Sequence, residues 1–151
     1  MRIHGVNSPF QEIEGQLTGT GAPNEVWSFG EDVFEIMSHY LDVRERLRPY
    51  IQKHMDIASE DGSPVMRPLF YDFPKDEKCY TIEDQYMFGP DILVAPVLTS
   101  GAESRPVYLP CGSDLRDAAT GKKYKGGRTI TYRVSMENIP VFTRNGIDFK
   151  L

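Results

Sequence analysis

Residues 44–51 read RERLRPYI, residues 62–74 read GSPVMRPLFYDFP and residues 84–97 read DQYMFGPDILVAPV. The fold turns on a change of periodicity between the first of these stretches and the other two. Around the first, Val33, Ile36, Met37, Tyr40, Leu41, Leu47, Ile51, Met55 and Ala58 recur mostly at i, i+3, i+4 and i+7, the spacing of one buried stripe on a helix. Glu31 and Asp32, just after Gly30, suit the positive end of a helix dipole. Pro49 removes an internal N–H and clashes with the turn before it, which predicts a kink or break near Arg48 and two helical pieces over 31–48 and 49–59. Asp61-Gly62-Ser63-Pro64 then combines a glycine that tolerates left-handed backbone with a proline, a helix stop that contains a turn.

Beyond Pro64 the period shortens. Residues 65–73, 81–88, 92–98, 106–109, 128–134 and 139–144 are short β-branched or aromatic runs. The intervening segments KDEK, GPD, SGAES, GSDLRDAATGKKYKGG and MEN carry turn chemistry. Evenly spaced short strands of this kind predict an antiparallel sandwich. The fold class expected is therefore α+β, with a helical part over 1–64 and an all-β part over 65–151. Residues 5–30 are dense in Gly, Pro, Asn, Ser and Thr without a sustained period, and they read as one long loop. Loops beyond about 12–15 residues are uncommon in compact domains unless they serve a function, so this one is a candidate active-site wall.

The 151 residues can bury one core, comprising roughly 68–70% of the unfolded surface. Hydrophobic content of 40% and charged content of 26% fit a globular chain rather than a disordered or fibrous one. The net charge is −5, and the 17 basic residues are scattered rather than gathered in a stripe, so nucleic acid is not an expected partner. No run approaches the ~20 apolar residues needed to span a bilayer, and the N-terminus lacks an apolar signal core, so no membrane is expected either. Cys79 and Cys111 have no nearby His or Cys companions, which argues against a zinc site or redox motif. They read as free thiols, although a bond between them stays open because it depends on Cα separation. Without a disulfide framework, a reducing, cytoplasmic setting is expected. No cofactor and no metal site are expected.

In their order and spacing, the three opening stretches resemble the end of the catalytic barrel and the start of the adjoining β-domain in family 31 glycoside hydrolases, enzymes that cleave α-linked sugars. The resemblance extends from MRIHG at the N-terminus to SMENIPVFTRNG near Leu151. It implies that residues 1–64 are the last loop and helix of a (β/α)8 barrel and that 65–151 are the proximal C-terminal sandwich. The parent's substrate would be an α-linked glucoside or xyloside. The family's nucleophile and acid/base aspartates lie on barrel segments preceding the one matched by MRIHG, so no residue of this chain inherits either role and the isolated chain is expected to be inactive. His4 matches a histidine that hydrogen-bonds sugar hydroxyls, a role suited to imidazole with its one donor and one acceptor. Arg2 is the second substrate-binding candidate, as a partner for pocket carboxylates. At a chain terminus both residues can equally be solvated. One departure is visible: members commonly carry a tryptophan where this chain has Leu115 or Asp114, which bears on packing of the β-domain rather than on the sugar pocket.

Other residues invite functional readings that a structural role answers as well. Trp27 and Phe29 could stack on a sugar face, but a single Trp in a long loop more often anchors it. Arg44, Arg46, Arg48 and Arg67 suggest an anion site, yet Asp42, Glu45 and Asp84 offer partners. Asp84 and Gln85, before an aromatic strand, are expected to satisfy backbone groups and to tie the β-domain to the helices. Asp117-Ala118-Ala119-Thr120-Gly121 reads as a turn, and Gly126-Gly127 as a hairpin or bulge. Tyr71, Tyr80, Tyr86, Tyr108 and Tyr132 would serve a stand-alone carbohydrate-binding module, an alternative reading, although tyrosines on strands are more often cross-strand packing. A third reading is an interaction protein, in which the apolar stripe over 31–59 drives self-association.

Overall fold

A computed structural model of the chain describes residues 11–13, 16–18, 26–147, 149 and 151. The chain falls into two compact units, Met1–Pro49 and Tyr50–Leu151.

In the first unit, β1 (Gln11–Ile13) and β2 (Gln16–Thr18) form an antiparallel hairpin, and a 3₁₀ turn follows at Val26–Phe29. The stretch 5–30 is therefore not one continuous loop. Its strands are only three residues long, too short for period-2 alternation to register. Helix α1 (Glu31–Arg46) starts where Gly30 adopts φ +89°, a left-handed geometry that costs glycine little, with Glu31 and Asp32 in the first turn. Helix α2 (Arg48–Asp61) follows after Leu47. The break at Leu47 is the one expected near Arg48, and it falls just ahead of Pro49 because proline is tolerated in a helix's first turn, where its missing N–H has no intrahelical partner. No helix among the described residues is long and apolar enough to cross a membrane.

The second unit is an antiparallel β-domain with few helices. Strands β3 (Met66–Pro68), β4 (Tyr86–Phe88), β5 (Ile92–Val94), β6 (Ser104–Leu109), β7 (Asp114–Asp117), β8 (Lys123–Lys125), β9 (Arg128–Arg133) and β10 (Val141–Thr143) form two sheets. One is six-stranded with order β3-β4-β5-β10-β7-β8, and the other is the β6-β9 ribbon. Two expectations need correction. The run 65–73 is strand only at its start, since Pro68 ends the pairing and α3 (Leu69–Asp72) closes with Phe73 N–H on the Leu69 carbonyl. Short aromatic runs do not distinguish strand from buried helix by period alone. The segment 112–127, read as a connection, holds the β7–β8 hairpin, and its lysines and glycines hid the pattern.

Register explains the core. Residues directly opposite one another share a sheet face, so the pairs Arg67↔Met87, Met87↔Leu93, Leu93↔Phe142 and Phe142↔Asp117 form one row across five strands. Met87, Leu93 and Phe142 are fully buried, and they meet Val107, Tyr108 and Leu109 of the ribbon together with Leu69, Phe73, Cys79 and Leu115. Phe142 receives Tyr124 and Tyr132 edge-on at 5.9 and 5.7 Å. Leu115 is buried and Asp114 exposed, so of the two positions that could replace a tryptophan only Leu115 is a packing position.

Candidate functional site

Arg2 and His4, the two expected substrate-binding residues, lie outside the described residues. Of the other candidates, Trp27 is 69% exposed, so the expectation that its ring fills a hydrophobic gap is not met. Arg48 pairs with Glu45 at the surface. Tyr108 is buried, Tyr132 packs on Phe142, and Tyr80 stacks on Phe70 at 5.1 Å. Asp84 serves Arg105 rather than Arg67: Arg105 donates to Asp84 Oδ2 at 2.6 Å and to the Pro96 carbonyl. Gln85 does satisfy backbone groups, accepting from Tyr108 N–H at 2.7 Å and donating to its carbonyl at 2.8 Å. These bonds reach the β6 strand rather than the helices.

The principal polar assembly of the second unit is an ionic cluster made by α2, β3, α3 and the residues flanking β5 and β10. Arg144 Nη2 donates to Asp72 Oδ1 at 3.2 Å, its Nε donates to the Pro90 carbonyl, and its guanidinium lies 4.5 Å from the Phe73 ring centre. Arg67 Nε lies 3.6 Å from Asp72 Oδ2, too long for a good hydrogen bond. Tyr50 hydroxyl donates to the Phe88 carbonyl at 3.0 Å, and His54 Nε2 stands 4.0 Å from Asp91 Oδ2. Burial raises the Asp72 pKa despite the Arg67 and Arg144 charges, and burial lowers that of His54 despite Asp91. Burial, assisted by the Asp91 charge, drives Tyr50 upward, so its phenol stays protonated. Among the described residues, His54 Nε2, Arg67 Nε and Asp72 Oδ2 have no hydrogen-bond partner. The sequence offered Asp42, Glu45 and Asp84 as partners for the arginines including Arg67; its actual partner Asp72 and their shared neighbour Arg144, 72 residues beyond Asp72, carried no local signal.

A second assembly centres on Asp76. Its Oδ2 accepts from the Tyr108 hydroxyl and the Cys111 N–H, each at 2.7 Å, while Oδ1 accepts from the Lys78 N–H at 3.2 Å. Burial pushes this carboxyl up, but the bonds from Cys111 and Tyr108 outweigh it, and the pKa lies below the usual aspartate value. A folded-state value below the unfolded one means a contribution complete above the unfolded pKa near 3.9 and lost as pH falls through the folded value. Asp76→Asn should therefore cost about 1–3 kcal/mol in urea unfolding at neutral pH and less at pH 3. An equal cost at both pH values would refute the ionic role. Cys79 and Cys111 are free; burial, aided by Asp76, pushes the Cys79 thiol up to about 12. Cys79 is consequently an inert thiol at neutral pH.

The carboxylates of Asp72, Asp76 and Asp117 are each engaged by neighbouring groups. Asp72 faces two arginines, Asp76 holds three donors, and Asp117 Oδ1 caps the 117–121 turn by accepting from Ala119 N–H at 2.9 Å and Thr120 N–H at 3.2 Å. Among the described residues no group of three His, Cys, Asp or Glu side chains is placed to hold a metal ion.

Comparison with known proteins adds what the geometry leaves open. The sequence profile described as the glycosyl hydrolase family 31 C-terminal domain matches residues 62–147. An α-xylosidase of Saccharolobus solfataricus is 38% identical over 131 residues, covering 87% of this chain and 18% of that protein. An isomaltosyltransferase of Sporosarcina globispora is 40% identical over 149 residues, 92% of this chain and 13% of that protein. A solved α-xylosidase from a soil metagenome, complexed with xylose, superposes with TM-score 0.82 at 49% identity, over 93% of this chain and 21% of that one. The chain thus spans about a fifth or less of each of these relatives' length.

Proposed function

The chain belongs to glycosyl hydrolase family 31, and from that membership we propose that it is the C-terminal portion of a retaining α-glycosidase acting on an α-linked glucoside or xyloside. The observation that carries this reading is the family match over 62–147, joined to homology that covers most of the chain but only 18% of the α-xylosidase. Residues 1–64 are then the closing loop and helix of a (β/α)8 barrel, and 65–151 the sandwich that follows it. Within the completed site, His4 hydrogen-bonds a sugar hydroxyl pair and Arg2 steadies a pocket carboxylate. No cofactor takes part, and the two unpaired thiols favour a cytoplasmic setting.

Retaining glycosidases need two carboxylates about 5–5.5 Å apart, one as nucleophile and one as acid/base. Barrel enzymes recruit such groups from several strand ends, of which this chain supplies at most the last. The buried aspartates described above are held by arginines, hydroxyls and backbone N–H groups, which supports silence of the chain alone. The expected result is no turnover of aryl α-glucosides or α-xylosides by the isolated chain. Turnover abolished by substitution of an aspartate in this chain would overturn the reading. The stripe on 31–59 favours self-association of the isolated chain, and a monodisperse monomer in sedimentation at tens of micromolar would count against it.

A further inference from the structure

The cross-strand register that builds the core also determines what the opposite face of the six-stranded sheet displays. Thr143 pairs with Arg116, and Arg116 with Lys123, so these three side chains form a row, while Asp114 and Lys125 form the row beside it. The segment Arg144–Ile147, left-handed at Asn145 (φ +59°) and Gly146 (φ +74°), borders them. Together they enclose a groove of about 710 Å³. That volume lies within the range of about 300–1,000 Å³ usual for ligand sites and exceeds what a bare inorganic anion occupies.

The charges in this groove run against the chain's own balance. The protein carries −5 overall, yet among the described residues the groove holds Arg116, Lys123 and Lys125 against the acid Asp114. Among the described residues, none of the three cations forms an ion pair. Arg144 also lines the groove but is committed to Asp72 and the Pro90 carbonyl. Arg116 and Lys123 stand directly opposite each other, and like charges so placed destabilise a sheet. The acid Asp114 stands opposite Lys125 in the next row, so it is Arg116 and Lys123 that face each other with like charge, and a local rule broken in this way is expected at a functional position. Gly121 approaches closely enough that a Cβ there would lie 3.3 Å from Arg116 Nη2, so the glycine leaves room for the guanidinium. Asn145 donates its amide to Asp91, at 2.8 Å, which leaves its side-chain carbonyl as an acceptor at the rim.

We propose that this groove binds an oxyanion-bearing saccharide: the guanidinium of Arg116 takes the anionic group, Lys123 and Lys125 neutralise it, and the rim oxygens meet ring hydroxyls. Arginine presents a fork of donors matched to a carboxylate or sulfate, and lysine supplies a point charge. The family reading supplies only the sugar character of the ligand, whereas the anionic character comes from the groove.

Calorimetric titration of this chain with trigalacturonate, maltotriose and inorganic sulfate tests the proposal. Trigalacturonate should bind, more weakly as salt rises. Arg116→Gln and Lys123→Gln should each weaken it by about tenfold. Lys53→Gln, on exposed α2, should leave it unchanged, and circular dichroism should report every variant folded. Absence of trigalacturonate binding, equal binding of maltotriose, or indifference to Arg116→Gln overturns the proposal. Sulfate binding as tight as trigalacturonate overturns its saccharide part. None of these outcomes bears on turnover, so they leave the proposed parent activity standing or falling by its own assay.

Discussion

Phe142→Ala will lower unfolding stability by about 3–5 kcal/mol, the range for removing a large aromatic from a close-packed core. The size follows from where the ring sits. Phe142 is fully buried between Leu93 and Asp117 in the row running from Arg67 to Asp117, and Tyr124 and Tyr132 both meet it edge-on. Each edge-on pair adds about 0.5–1.5 kcal/mol beyond area burial, and truncation forfeits both contacts along with the transfer energy. Chemical denaturation read by tyrosine fluorescence checks this. A cost below about 1 kcal/mol would mean that strand β10 is not central to the core. Phe142→Leu should recover most of the loss, because it leaves a smaller void.

Asp72→Ala should be comparably damaging, for electrostatic reasons. Arg67 and Arg144 both depend on this carboxylate, and both are largely buried. Removing one partner of a buried pair leaves an uncompensated charge and typically costs about 3–5 kcal/mol. The raised pKa of Asp72 marks burial outweighing the two arginines. A folded-state value above the unfolded one means that the carboxyl's protonation contributes stability below the unfolded pKa, a contribution lost as pH rises through the folded value. Asp72→Asn should accordingly be milder than Asp72→Ala at neutral pH. The triple variant Arg67→Met/Asp72→Leu/Arg144→Met should regain much of the loss, since apolar side chains of similar volume remove the desolvation burden of all three charges. A triple variant as unstable as Asp72→Ala would show that the cluster is not an ionic balance.

The sequence made some of this legible because the relevant physics is local. Gly30 with Glu31 and Asp32 marks the start of α1, Asp61-Gly62 marks the end of α2, and Ile92–Val94 reads as a strand. Pro49 gave warning of the break, which falls at Leu47 because proline belongs in a first turn. The β7–β8 hairpin escaped notice because Lys123 and Lys125 project into the groove, and a strand whose outward residues are charged and flanked by glycines resembles a connection. The Asp72 and Asp76 assemblies escaped for a different reason: their partners lie up to 72 residues away, and pairing at that range is decided by the register of the sheets. The alternation visible along a single strand carries no such information.

The two bonds between the Gln85 amide and the peptide groups of Tyr108 have a broader significance. A primary amide has the same donor and acceptor as a peptide unit, so this side chain imitates one rung of a missing neighbouring strand. Pro106, two residues earlier, has no hydrogen to offer. The unpaired margin of the ribbon is thereby blunted at consecutive outward positions, leaving little template on which a stray extended peptide could nucleate a fibril.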